Sequence, residues 1–107
     1  MIPFDTFASI ELKTARIKKA ERIEASEKLI KLEVSLGEET RQIVAGIAKS
    51  YTPEELEGKM IIIVANLEPR TLMGYESQGM LLAATNEEGN PILVTPQKDV
   101  KEGVRIK

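Results

Sequence analysis

Polar and apolar residues alternate most plainly between Leu29 and Ser35. Ile30, Leu32 and Val34 fall on one side of an extended chain, and Lys31, Glu33 and Ser35 fall on the other. That spacing predicts a strand. LGEET then supplies a turn, and Arg41 to Ala45 (RQIVA) a returning strand. Upstream, the apolar positions from Ile10 to Ile23 alternate but slip phase twice. One long, bulged strand gives such a pattern, and bulges are how a strand curls into a barrel; an amphipathic helix is the competing reading. The start, PFDTFAS, reads as one helical turn with Phe4 and Phe7 on the same face. Thr52-Pro53-Glu54-Glu55 has the form of a capping box with Pro at the first helical position, and Gly58 closes that helix. Met60 to Ala65 is a continuous apolar run, expected to be a strand buried on both sides. Gly79 to Thr85 is a fifth strand. Shorter ones are expected over Ile92 to Val94 and Val104 to Ile106, with breaks at Asn90-Pro91, Pro96 and Gly103.

Between the fourth and fifth strands lies NLEPRTLMGYESQGM, residues 66–80. A two-residue hairpin would have joined the two runs; this crossing is far longer. Five main strands, the first long and bulged, with a short helix before the fourth, predict an all-β protein: a five-stranded OB-fold barrel with short helices and a C-terminal extension. In that fold, ligands lie across the second and third strands and are gripped by loops, one of which is the connection just quoted. No repeat or linker divides the chain, so one domain over residues 1–107 is expected.

Composition narrows the chemistry. Cysteine and histidine are both absent, which removes thiolate and imidazole nucleophiles, bases and metal ligands. Glu38-Glu39, Glu54-Glu55 and Glu87-Glu88 are adjacent pairs that diverge rather than converge on a substrate. Gly74 and Gly79 have the outer spacing of a phosphate loop, but Met80-Leu81 follow where Lys and Ser or Thr are needed. Neither an enzyme nor a cofactor or metal is expected. Net charge is −2, yet residues 11–22 carry five basic side chains against two acidic ones, and local charge governs binding more than the total. No apolar run approaches the ~20 residues of a membrane span. The amino terminus lacks the pattern of a secretory signal, so a cytoplasmic location is expected.

The motifs A-G-I-A-x-x-Y-x-P-E-E-L-x-G-K and N-L-x-P-R-x-L-M-G-x-x-S-x-G-M, both present here, resemble the tRNA-binding domain found at the C-terminal end of many methionyl-tRNA synthetases and as a free-standing beta subunit. The chain is also similar to the domain of endothelial monocyte-activating polypeptide II. The resemblance implies an OB-fold, usually a homodimer, that reads the shape of tRNA rather than its sequence and assists methionyl-tRNA synthetase. Secretion-related chaperones of the same fold, which bind unfolded polypeptide, are the alternative.

Carried onto this sequence, the family's motif gives Asn66, Arg70, Ser77 and Met80 as tRNA contacts. For Asn66 a cap on its own loop is the competing reading, and for Met80 core packing. Arg41 and Lys31 are added because they lie on the strands that present the OB-fold face. Lys13 and Arg16, from the basic run on the first strand, are candidates for further phosphate contacts. Tyr51 and Tyr75 are too few for stacking on single strands to be the main mode. The family pattern more often has Lys where this chain has Glu68 and Thr71, Ser where it has Ala45, and His-Pro where it has Ile23-Glu24. For the dimer interface, the C-terminal segment with Leu72 and Met73 is the candidate.

Overall fold

The computed structural model describes residues 1–107. Helix α1 (Phe4–Ala8) leads into the longest strand, β1 (Leu12–Arg22). Then come β2 (Ile30–Ser35), β3 (Thr40–Ala45), the one-turn helix α2 (Pro53–Leu56) and β4 (Met60–Val64). Short strands follow: β5 (Arg70–Leu72), β6 (Tyr75–Ser77), β7 (Met80–Leu81), β8 (Ala83–Thr85), β9 (Pro91–Leu93) and β10 (Arg105–Ile106). The main sheet runs β3-β2-β1-β4-β7, with β10 added to β1, and every pairing in it is antiparallel.

β1 organises the barrel because it is long enough to serve two main partners, with β10 adding a short third pairing at Leu12 and Lys13. Leu12 to Arg16 pair with β4, and Arg16 to Arg22 pair with β2. A register shift between Ile17 and Lys19 marks a bulge near the change of partner, where a sheet bends most easily. The phase slips in the sequence are therefore those of a bent strand, and the helical alternative for this segment is excluded. The inward residues Ala15, Ile17, Ile30, Leu32, Val34, Ile43, Ile61 and Ile63 are all fully buried. The alternation holds over residues 30–34 but not at Ser35, which is expected to face outward and is instead buried, its hydroxyl donating to Glu102. The uninterrupted burial of β4 is as expected.

α2 carries the expected capping box, with Thr52 accepting from the Glu55 N–H and the Glu55 carboxylate accepting from the Thr52 N–H. Its Leu56 is fully buried in the core. The expected fifth strand is in fact two. At Leu82 the chain leaves β4, its N–H donating to the Ile62 carbonyl, while its own carbonyl accepts from Val94 on the far side of β9. β8 and β9 then pair as a hairpin outside the main sheet.

Candidate nucleic-acid interface

The connection after β4 is itself structured. β5 and β6 form a hairpin whose two-residue turn is Met73-Gly74. Both turn residues have positive φ, +51° and +85°, which matches the right-handed twist of flanking strands. The hairpin folds over β3, and the seam between them closes the barrel with few backbone bonds. The Gln78 N–H donates to the Gln42 carbonyl at 2.7 Å. Side chains complete the rest: Ser77 Oγ accepts from the Val44 N–H at 2.9 Å, and Gln78 Oε1 accepts from the Gln42 N–H at 2.9 Å. Gly79 is required by the close approach of the chain to β4 as it enters β7. A Cβ there would sit 2.9 Å from the Val64 carbonyl oxygen, and its φ is +138°.

Hairpin and barrel enclose a cleft of about 380 Å³. Val44, Leu67, Leu72 and Met80 give it apolar walls, Ser77 and Gly79 also line it, and Glu68 and Arg70 contribute opposite charges. Arg70 is exposed and enters no ion pair, nor does Glu68. Met80 is 50% exposed, so core packing does not explain it.

The other expected residues are placed less freely. Asn66 caps nothing of its own loop; its Oδ1 accepts from the Glu11 N–H at 2.8 Å, and its Nδ2 donates to the Ser9 carbonyl at 2.7 Å. It thereby pins the entry of β1 to the exit of β4. Ser77 is buried, and its hydroxyl donates to the Gly79 carbonyl while serving the seam. Arg41 turns inward toward the Ala65 and Gln78 carbonyls and pairs with Glu39. Lys31 lies 3.7 Å from Glu21 and 4.8 Å from the centre of the Tyr75 ring.

On the basic strand, Arg16 donates to the Gly58 carbonyl and, with Lys18, pairs with Glu102 at 3.3 Å. Ser35 also donates to that carboxylate. The Ser35 hydroxyl, then the two cations, hold the Glu102 carboxyl below its ordinary value, against an opposing effect of desolvation. Lys13 is half-buried and in no ion pair. The structure thus gathers Arg70, Met80 and Ser77 about one cleft and leaves Lys31, Arg16 and Lys13 outside its lining.

Residues 12–105 match the family described as "Putative tRNA binding domain". The chain belongs to this tRNA-binding domain family. A methionine–tRNA ligase of Caldanaerobacter subterraneus is 57% identical over 98% of the chain, which spans only 16% of that enzyme. Among solved structures, a MetRS-related protein from Pyrococcus horikoshii is 45% identical with a TM-score of 0.94, covering all of this chain and 98% of that one. The chaperone CsaA of Bacillus anthracis is 32% identical with a TM-score of 0.93, covering all of this chain and 99% of that one.

Within the tRNA-binding domain, sequence reasoning missed Val44, Leu67 and the seam glutamines Gln42 and Gln78. Leu67 carried a usable signal, as one of several apolar residues in a connection expected to grip a ligand. Glu102 gave none, being one of many scattered carboxylates.

Proposed function

We propose that the chain binds tRNA by the bent shape of the folded RNA, with little reading of sequence, as a free-standing accessory subunit assisting methionyl-tRNA synthetase. One domain over residues 1–107, acting as a cytoplasmic homodimer, completes the reading. The observation that carries it is Arg70, an exposed, unpaired guanidinium at a cleft on the ligand-gripping side of an OB-fold in a tRNA-binding family. A guanidinium offers two parallel N–H groups to a phosphate. Met80 gives a soft apolar surface for ribose or base. Lys13 adds a phosphate contact. Asn66, Ser77 and Arg41 act by fixing the cleft's shape, through the bonds described above. Lys31 reaches RNA by exchanging exposed Glu21 for phosphate, which an ion pair of small net worth allows. Arg16 does so by leaving half-buried Glu102. The solved relative of nearly the same length, a MetRS-related protein, supports the free-standing form.

The close likeness to a solved chaperone favours a second reading, the binding of unfolded polypeptide. The exposed Leu67, Met73 and Met80 would then be the contact surface.

Anisotropy of a labelled tRNA across a salt series, with an unrelated tRNA and a single-stranded DNA as competitors, separates the two. Equal competition by both tRNAs, little by the DNA, and a salt slope of several phosphates (~0.9 or less each) is the expected outcome. Arg70→Ala should weaken binding to every tRNA alike and lower the slope by about one contact. Loss confined to one tRNA species would refute shape reading. No RNA binding together with suppressed aggregation of a denatured client would establish the chaperone reading.

A further inference from the structure

The cleft holds two unpaired charges of opposite sign. Glu68 and Arg70 both line it, two residues apart on an exposed segment, yet no ion pair within 4.0 Å joins them or ties either to another residue. A site built for phosphate alone has no use for the carboxylate, which repels phosphate. The walls beside the two charges are aliphatic: Leu67, Leu72, Met80 and the buried Val44. At about 380 Å³ the cleft falls in the ~300–1,000 Å³ range of small-molecule sites. A ligand that satisfies all of this is flat and apolar in its faces, carries N–H donors on one edge and an anion nearby. An unpaired nucleotide has that form.

The carboxylate also discriminates among bases. An ionised Glu only accepts, and its two oxygens accept side by side. Guanine alone among the four bases offers adjacent donors on its Watson–Crick edge, the N1–H and the 2-amino group. Adenine and cytosine set an acceptor beside their amino group, and uracil flanks its one N–H with two carbonyls. We propose that this cleft is a nucleotide subsite that takes an unpaired guanine, with Glu68 accepting from N1–H and the 2-amino group and Arg70 holding its phosphate. The ring lies against Met80 and the leucines. The subsite rests on the tRNA-binding reading and deepens it: one base in an otherwise shape-read RNA is recognised directly.

The test uses the whole chain, ¹⁵N-labelled, titrated with GMP, IMP, AMP, CMP and UMP while amide shifts are followed. IMP keeps the N1–H and lacks the 2-amino group, and guanosine replaces GMP to isolate the phosphate. The expected result is perturbation confined to residues 66–80 and Val44, with GMP favoured over the other nucleotides by roughly 5- to 150-fold, the value of one bidentate base contact. Glu68→Gln, at an exposed position with no internal bonds, should fold normally, abolish the preference and leave some residual binding. Arg70→Ala should bring GMP down to the level of guanosine. Binding of tRNA in parallel anisotropy, with equal response to all nucleotides or none at the cleft, would overturn the subsite and leave the tRNA-binding reading standing. Failure to bind tRNA at low salt would overturn that reading itself, and the subsite with it.

Discussion

Ser77 stands in for a missing piece of β-ladder. Its hydroxyl satisfies the N–H of buried Val44 and is itself satisfied by the Gly79 carbonyl. Ser77→Ala should leave that N–H unpaired and cost about 1–3 kcal/mol in urea unfolding, whereas Ser77→Thr, which keeps the hydroxyl, should cost less. An unchanged midpoint for Ser77→Ala would mean that the seam does not depend on this bond. Glu102 is the residue with the clearest pH signature. Its carboxyl titrates below the ordinary 4.5 when folded, chiefly because of Ser35, with Lys18 and Arg16 adding to the effect. A depressed folded pKa stabilises the protein above the unfolded value and ceases to do so as pH falls through the folded one. The melting temperatures of the wild type and Glu102→Gln should therefore differ at neutral pH and converge below pH 4.5. A gap that persists into strong acid would contradict this assignment.

Among the elements, the β5–β6 hairpin carries the strain. Met73 is the only non-glycine residue with positive φ, at the first position of a turn that prefers Asn. Placing such a residue in the left-handed region costs about 1–2 kcal/mol. Met73→Asn should recover around 1 kcal/mol of stability, read from the urea midpoint. Met73 is also half-exposed at the hairpin tip, so a substitution that stabilised the fold while weakening RNA binding would give the strain a functional reason. α1 poses the opposite case. It has five residues, none of them buried, and is too short to be stable by its own hydrogen bonds.

For the whole molecule, that helix bears on the proposed dimer. Phe4, Phe7 and Ile10 line an exposed apolar groove of about 550 Å³ together with Ile106 of the C-terminal segment. Covering it with a second copy would remove large apolar side chains from water, each worth ~1.5–3 kcal/mol when fully buried. Sedimentation velocity should find a dimer in the wild type and a monomer in Phe7→Glu, with the cleft unchanged. A wild-type monomer at high concentration would refute the dimer. The cleft and this groove share no lining residue, so two copies joined at the groove would keep both clefts available to one large RNA, and linked binding raises avidity without new contacts.

The sequence by itself determined the barrel. The second, third and fourth strands and the capped one-turn helix follow from local periodicity and turn chemistry, which a chain expresses within a few residues. The choice of strand over helix for β1, the β5–β6 hairpin and the split of the fifth strand came from tertiary pairing. It also carried the family, because the motifs around Tyr51 to Gly58 and Asn66 to Met80 are long. Tertiary structure alone decided which of the site residues are free. Arg41, Lys31 and Arg16 read as cations available to phosphate, but each is engaged by carboxylates or carbonyls brought from distant segments: Arg41 by Ala65 and Gln78, Arg16 by Gly58 and Glu102. Asn66 and Ser77 likewise spend their polar atoms on internal bonds, whereas Arg70, Glu68 and Met80 remain open. A side chain's capacity to bind is what remains after its neighbours have been satisfied, and those neighbours are set by the closure of the barrel rather than by the order of residues.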